Sequence, residues 1–295
     1  MLDRRRFIAG SASLATLASS GVGAAVLSAA IGGSHPAAAQ RAFRLFDTMR
    51  FDGKPDDLSV CGLEPLRTVY VGDFWPGRDR DKPDFGHIED VLVPKLAKHN
   101  YERLVLDIEH WEADQVDDLV EIVNLMRKLM PGTRFGYYSL VPVRDYWAFQ
   151  PGKEGRLIVY AEQNRRWSKL ADAVDDLYPT LYAFYKDREG WVRMADGTVA
   201  AAKAIGKPIY PYLWPQYHDK NKKIAREIIE GDFWLQQLDK VYDLGCDGAV
   251  IWGSLAGGRT PDGKIARLPW DPDAPWWVQT QAFAREKDIA KAGCR

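Results

Sequence analysis

Beyond residue 40, short apolar runs alternate with segments in which apolar residues recur at helical spacing. The apolar runs predict six β-strands, over residues 68–74, 103–108, 134–140, 177–183, 208–213 and 248–253. The periodic segments predict five helices, over residues 88–96, 116–130, 164–174, 198–205 and 224–244. Strands linked by helices of this length pair in parallel with right-handed crossovers, so the sheet is either open and doubly wound or closed into a barrel.

The residues around the strand ends favour the barrel. No glycine-rich phosphate loop follows any strand, and Gly257-Gly258 lacks the spacing of a dinucleotide or phosphate-binding loop. Polar and aromatic side chains stand at the carboxyl ends of several strands, where a barrel brings its loops together. They include Asp73, Asp107, Glu109, Tyr138, Tyr182, Tyr212, Trp214 and Trp252. The sequence therefore predicts an α/β fold, a TIM-like (β/α) barrel of seven or eight strands formed by residues 40–295 as a single domain.

The first 39 residues have the pattern of an export signal. Arg4-Arg5-Arg6 precedes a mildly apolar stretch rich in Ala, Ser and Gly, which ends at the small residues Ala37-Ala38-Ala39. This segment resembles a twin-arginine signal peptide. A retained membrane anchor is the alternative, but the stretch has few large apolar residues. We expect the twin-arginine export machinery to recognise it, leaving a periplasmic or secreted protein with no stable membrane span.

Charge and cysteine content narrow the possible partners. Forty basic and forty-one acidic residues give a formal net charge of −1, which provides no broad positive field for a nucleic acid. The histidines and cysteines have no metal-ligand spacing, so neither a metal nor a cofactor is predicted. Three cysteines are an odd number for an oxidising compartment. A bridge between Cys61, which we expect before the first strand, and Cys294 is one possibility, and Cys246 is expected to be a buried thiol.

The segment Asp107-Ile108-Glu109 supplies the strongest candidate chemistry. Two carboxylates at positions i and i+2 of a strand point to the same face, about 7 Å apart at the backbone. Two acids this close do not both ionise easily, so the pKa of one should rise, as a general acid near neutral pH requires. The structural alternative is a strand end at which acidic residues meet water or a neighbouring base.

Residues 107–111 resemble the Asp-x-Glu-x-Trp segment of the hyaluronidases of glycoside hydrolase family 56. Three later segments are also similar to that family in order, and the last of them, which contains Gly-Ala-Val-Ile-Trp-Gly-Ser, is the most specific. These segments are residues 177–182, residues 208–212 together with Tyr217, and residues 244–254. The resemblance covers the body of the predicted barrel, about residues 104–254, and neither terminus.

The resemblance implies a distorted barrel that cleaves β-linked N-acetylhexosamine polymers with retention, using the substrate's own acetamido group as nucleophile. By position, it implies that Glu109 is the general acid and base and that Asp107 orients the acetamido group. Tyr182 and Tyr138 would contact the substrate, and Trp252 would form a wall of the sugar site. Asp73, Tyr212 and Trp214 are added as substrate-binding candidates from their positions at strand ends.

One departure from the family concerns charge. Glu112 follows Trp111 where the family has an arginine, which removes an expected positive group from the cleft. A neutral N-acetylated glycan therefore fits the sequence as well as hyaluronan does. Two function classes remain: an exported glycosidase and a catalytically silent barrel that binds a glycan. The acid pair favours the first, because a binding module does not need a carboxyl pair that shares a proton.

Overall fold

The computed structural model describes residues 42–75, 83–109, 112–291 and 293–294 of the 295-residue chain. The predicted export signal, residues 1–39, lies outside these residues. Nine strands are present in the described part of the chain. They are β1 (Arg44–Asp47), β2 (Leu63–Pro65), β3 (Arg67–Tyr70), β4 (Arg103–Asp107), β5 (Arg134–Tyr137), β6 (Tyr212–Leu213), β7 (Gly248–Ile251), β8 (Leu255–Arg259) and β9 (Ile265–Arg267).

The first seven strands form two parallel sheets, in the orders β2-β1-β7-β6 and β3-β4-β5. On one side the sheets meet where β2 continues into β3, and the N–H of Leu66 between them donates to the carbonyl of Asp47. On the other side, residues 177–180 pair in parallel with Tyr138 of one sheet and with Ile209 and Tyr212 of the other. The ring is therefore closed with seven strand positions, which confirms the predicted TIM-like barrel.

Helices surround this ring. They are α1 (Val71–Phe74), α2 (Phe85–His87), α3 (Val93–Leu96), α4 (Val116–Leu129), α5 (Glu154–Arg166), α6 (Ser168–Ala173), α7 (Arg188–Ile205), α8 (Gly231–Asp243) and α9 (Pro275–Glu286). A π-helical turn, Ile88–Leu92, joins α2 to α3, and short 3-10 turns lie at Ser59–Cys61, Ala113–Gln115 and Trp147–Phe149. Strands β8 and β9 form an antiparallel hairpin beyond the last barrel strand. Within the described residues, no helix combines the length and apolarity needed to cross a membrane.

Several predicted boundaries were wrong. The strand over 68–74 ends at Tyr70, because the Asp73 carboxylate accepts the N–H of Tyr70 and α1 follows at once. The helix over 198–205 begins at Arg188, after the side chain of Asp187 caps the N–H of Gly190. The prediction missed this helix start because it followed apolar spacing and not the capping residue.

Two other helix predictions failed for reasons of packing. The pattern over 164–174 is divided between α5 and α6, and α5 was missed because it buries a single residue, Tyr160, and so shows no apolar stripe. The helix over 224–244 begins at Gly231. Before it, Ile228 pairs with Gln216 in an antiparallel bridge, so apolar residues in this segment serve an extended conformation.

The disulfide ties the C-terminus to the start of the barrel. Cys61 and Cys294 are bonded across 233 residues of sequence, with Cα atoms 4.7 Å apart, so the bridge is present. Cys246 is fully buried and takes no part in it. The expectation that Cys61 precedes the first strand was wrong, because β1 and β2 lie on either side of it. Both strands were missed, since four and three residues are too few to show alternation.

Candidate active site

A cavity of about 130 Å³ opens at the carboxyl ends of the barrel strands. Seven of the eight predicted site residues line it: Asp107, Glu109, Tyr138, Tyr182, Tyr212, Trp214 and Trp252. These residues come from five different strand positions or the loops after them, and the closed ring brings them together as expected for this fold. The cavity is also lined by Thr68, Tyr70, Arg144, His218, Asp219 and Leu255, which the sequence did not single out.

The floor of the cavity is a hydrogen bond across the barrel. Thr68 on β3 and Tyr212 on β6 share a hydrogen bond of 2.8 Å between their hydroxyl groups, which fixes both side chains in the interior. Asp107 pairs with Tyr70 in the parallel register of β3 and β4, two residues beyond the pair of Thr68 with Val105. Because side chains two residues apart share a face, Asp107 and Tyr70 point into the same interior above this floor.

The two carboxyl groups have different surroundings. Asp107 is the last residue of β4 and lies deep in the cavity, whereas Glu109 stands beyond the strand end with 47% of its side chain exposed. Burial, followed by the negative charge of Glu109, raises the pKa of Asp107 to about 7, and the positive charge of Arg144 partly opposes this rise. The pair therefore retains one proton up to about neutral pH, as the i, i+2 spacing predicts.

Aromatic rings form one wall of the cavity. Trp252 stacks on Tyr182 with ring centroids 5.9 Å apart and planes 24° apart, and it meets Trp214 edge to face at 4.7 Å. The indole N–H of Trp252 donates to the hydroxyl of Tyr70 at 3.2 Å. Burial raises the pKa of the Tyr138 and Tyr182 hydroxyls, so both remain protonated and able to donate a hydrogen bond. The wall combines flat apolar faces with fixed donors.

Gln216 holds the wall in place. Its buried carbonyl oxygen accepts the indole N–H of Trp214 at 2.9 Å and the backbone N–H groups of Ser254 and Leu255 at 3.2 and 3.1 Å. Its amide nitrogen donates to the carbonyls of Arg226 and Leu255. One side chain thus links the loop after β6 to the loop after β7, and no pattern in the sequence points to it.

The Trp-Gly-Ser segment after β7 has a special backbone. Gly253 has φ of 148°, and a Cβ there would lie 2.8 Å from Cδ1 of Trp214, so only glycine fits against the indole. Ser254 adopts φ of 105°, which is strained for a residue with a side chain. The Gln216 bond to its N–H keeps it there. These contacts explain why the segment most specific to the resemblance ends in Trp-Gly-Ser.

Arg144 and His218 were missed because both lie in loops without periodicity. The guanidinium of Arg144 lies 3.8 Å from the Glu109 carboxylate, with 19% of its side chain exposed. Burial, then the charge of Arg144, lowers the pKa of His218 to about 4, so the ring is neutral. The N–H of Lys220 donates to its Nδ1 at 3.1 Å, which places the ring proton on Nε2.

The prediction that Asp73 belongs to the substrate-binding site was wrong. This residue does not line the cavity, because its carboxylate accepts the N–H of Tyr70 and pairs with Arg67 at 3.1 Å and Lys95 at 3.7 Å. The side chain serves the turn after β3. His110 and Trp111 of the Asp-x-Glu-x-Trp segment lie outside the described residues. Over the described ranges, no group of three or more His, Cys, Asp or Glu residues is arranged to hold a metal ion.

The fold and the paired acids define a TIM-type barrel with an acidic and aromatic cavity at the carboxyl ends of its strands. No protein-family model matches the sequence. Two curated proteins are similar to it: the hyaluronidase of Apis mellifera, 28% identical over 143 residues, and the salivary hyaluronidase of Lutzomyia longipalpis, 26% identical over 162 residues. These matches cover 45% and 50% of this chain, and 36% and 40% of the respective relatives.

Solved structures agree on the fold. A crystal structure of bee venom hyaluronidase superposes with a TM-score of 0.53 at 15% identity, covering 83% of this chain and 97% of that one. The same enzyme in complex with a hyaluronic acid tetramer gives a TM-score of 0.55 at 15% identity, covering 85% and 99%. The chain is therefore related to the hyaluronidases and shares their barrel fold, while the matching sequence spans less than half of the curated relatives.

Proposed function

We propose that the protein is a glycoside hydrolase that cleaves a β-linked N-acetylhexosamine-containing polysaccharide, hyaluronan-like, by a retaining, substrate-assisted mechanism. One observation carries this proposal: a buried acid of raised pKa and an exposed acid line a single cavity with stacked Tyr182 and Trp252. The relationship to hyaluronidases supports the substrate class.

In this mechanism Glu109 donates its proton to the glycosidic oxygen while the carbonyl oxygen of the substrate's acetamido group attacks the anomeric carbon. The leaving sugar departs as an alcohol, and the acetamido group closes into a positively charged ring. Glu109, now ionised, then takes a proton from water, which attacks the anomeric carbon from the side of the leaving group. The bond between that carbon and the acetamido oxygen breaks, which restores the neutral acetamido group and the protonated Glu109. Two inversions give net retention.

Asp107 steadies the ring in the proposed reaction. The acetamido N–H approaching Asp107, and the positive charge that develops beside it, both favour the ionised carboxylate. Asp107 is then ionised against the acetamido group, while Glu109 serves as the general acid for the leaving oxygen. The exposed position of Glu109 suits its role as the general acid, because it must reach the bond between two sugar units. Asp107 contacts only the sugar unit that carries the acetamido group, so it can lie deeper.

Arg144 bears on the substrate charge. The departure at Glu112 removed the family's arginine from the segment after β4, but Arg144 places a guanidinium 3.8 Å from Glu109 from a different loop. The cleft is thus not purely negative, and this supports an acidic polymer as substrate as well as a neutral one.

The test is hydrolysis of hyaluronan and of N-acetylated chitin, each beside its de-N-acetylated counterpart, read as new reducing ends. Glu109→Gln should lower the rate by about 10²–10⁴, because an amide cannot donate the proton, and Glu121→Gln, exposed on α4, is the matched control. Removing the acetyl groups should stop turnover. Equal rates with and without acetyl groups would refute substrate assistance, and full activity in Glu109→Gln would refute the site. Glycan binding without any hydrolysis would favour the silent barrel.

We also propose that residues 1–39 direct export to the periplasm or beyond. The Cys61–Cys294 bridge supports this, because disulfides persist in oxidising compartments. Replacing Arg4, Arg5 and Arg6 together with lysine keeps the charge and removes the guanidinium groups. This variant should accumulate in the cytoplasm on fractionation, and unchanged export would refute the twin-arginine assignment.

A further inference from the structure

Aromatic rings continue from the cavity to the protein surface. Next to Tyr182 in the cavity wall lies His218 at 5.9 Å between ring centroids, and His218 lies 4.6 Å from Phe184. Phe184 in turn lies 6.4 Å from Tyr146. Each ring contacts the next, and Tyr182, Phe184 and Tyr146 are themselves buried, so a packed series of rings joins the cavity wall to the surface.

This series ends in a cluster of three rings, Tyr146, Trp147 and Tyr185, which we call the aromatic platform. Between ring centroids, Trp147 lies 5.2 Å from Tyr146 and 5.5 Å from Tyr185, and Tyr146 lies 4.9 Å from Tyr185. The Trp147 side chain is 41% exposed, although it is one of the largest apolar side chains in the protein. The indole is thus open to solvent although two neighbouring rings hold it in place, so a ligand can stack on it.

The platform is fixed in place. The hydroxyl of Tyr146 donates to the carboxylate of Asp187 at 2.8 Å, and that same carboxylate caps the first turn of α7 by accepting the N–H of Gly190. The N–H of Trp147 donates to the side chain of Asp145 at 2.9 Å. The rings therefore need little ordering when a ligand binds, which lowers the entropic cost of binding.

The platform lies on the same face of the barrel as the acid pair. Trp147 is in the loop after β5, and Tyr185 is in the loop after residues 177–183, which pair directly beside β5 through Tyr138 and Tyr178. Both loops leave the carboxyl ends of the strands, where the cavity opens. Arg144 lines the cavity on the side of these rings, since its guanidinium is 3.8 Å from Glu109 and 5.8 Å from the ring centroid of Phe184, which contacts Tyr146.

We infer that Trp147 and Tyr185 form a separate sugar subsite, at which a pyranose ring of the polymer stacks at a distance from the bond being cleaved. This inference rests on the proposed function for the identity of the polymer. The flat face of a pyranose carries C–H groups that pack on an aromatic ring, and a chain that leaves the cavity past Arg144 would reach the exposed Trp147. The site therefore favours long chains over short ones.

The test measures binding without turnover. In a Glu109→Gln background, the affinities of hyaluronan and N-acetylated chitin oligosaccharides of increasing length are measured by calorimetry. Adding Trp147→Ala should weaken binding of the long oligosaccharides about tenfold and leave the shortest unchanged. Trp147→Phe should restore most of the loss, because a ring remains. Val278→Ala on α9 removes an apolar side chain that is also 41% exposed and should change nothing.

The outcomes separate the platform from the proposed function. A length dependence that Trp147→Ala leaves intact overturns the inference, as does equal weakening by Val278→Ala or binding of neither probe. If the wild-type protein hydrolyses no polymer but binding still depends on Trp147 and on length, the proposed function fails and the subsite stands. If hydrolysis occurs and Trp147→Ala has the wild-type affinity for every length, the function stands and the subsite is refuted.

Discussion

Replacing Asp107 by asparagine should make the protein more stable at alkaline pH while it damages the site. The carboxyl group is held in a buried position beside a second acid, and these two conditions raise its pKa to about 7 from the ordinary value of 3.8. Each unit of pKa difference corresponds to about 1.4 kcal/mol, so holding the ionised form costs the folded state about 4 kcal/mol. Asparagine is nearly isosteric and carries no charge.

The sign follows from proton counting. The unfolded chain releases the Asp107 proton near pH 4, whereas the folded protein retains it until about pH 7, so the folded state binds more protons in between. The stability of the wild-type protein therefore falls across this window and levels off above it. Between about pH 5 and pH 8 the loss from this group is about 2.5 kcal/mol. Asp107→Asn removes this loss.

The assay is urea unfolding of wild type and Asp107→Asn at about pH 5 and about pH 8, followed by tryptophan fluorescence under non-reducing conditions. The variant's advantage should grow by about 2.5 kcal/mol between the two pH values, whatever the constant effect of the amide on packing. Glu109→Gln should reduce the wild-type pH dependence, since the negative charge of Glu109 raises the Asp107 pKa, and Arg144→Gln should increase it. An advantage that does not change with pH would refute the account of the acid pair.

Two further changes test how the site and the barrel are held. Gln216→Leu should destabilise the protein by at least about 3 kcal/mol in urea unfolding, because the N–H groups of Trp214, Ser254 and Leu255 lose their acceptor. Wild-type stability in this variant would contradict the role of Gln216 in holding the two loops. Replacing Cys61 and Cys294 together with serine should lower the free energy of unfolding by about 2–5 kcal/mol, because the bridge closes a long loop. A reductant should lower the melting temperature of the wild type to that of the variant and leave the variant unchanged. A larger effect of the reductant on the variant would contradict the stabilising role of the bridge.

The acid pair could be predicted because it depends only on local alternation. An apolar strand with carboxylates two residues apart must point both to one face, and Asp107 and Glu109 do line one cavity. The closed barrel followed from the same logic, since parallel strands with polar carboxyl ends bring those ends together. The prediction that Asp73 contributes to the site failed because the strand ends at Tyr70, where the Asp73 carboxylate accepts the backbone N–H and stops the strand.

Residues that act through loops could not be predicted in this way. Arg144, Gln216 and His218 follow strand ends by several residues, and their directions are set by contacts with other loops. Gln216 illustrates this limit, because no periodic pattern in a sequence distinguishes a glutamine that will be buried from one that will be exposed. Its importance comes from three acceptor contacts that exist only after β6 and β7 have been brought side by side.

The charge of the cleft shows how one position can mislead when it is considered alone. Glu112 stands where related enzymes have an arginine, and from sequence this removes a positive group from the site. In the folded protein Arg144 reaches Glu109 from the loop after the neighbouring strand and packs on Phe184, which belongs to the series of rings leading to Trp147. In the proposed reaction, a guanidinium in this position would contact the acid that protonates the leaving sugar and would lie beside the proposed path of the polymer. The charge of Arg144 and the aromatic rings thus lie at the same edge of the cavity. We expect contacts at this edge to decide whether the protein prefers acidic or neutral polymer chains.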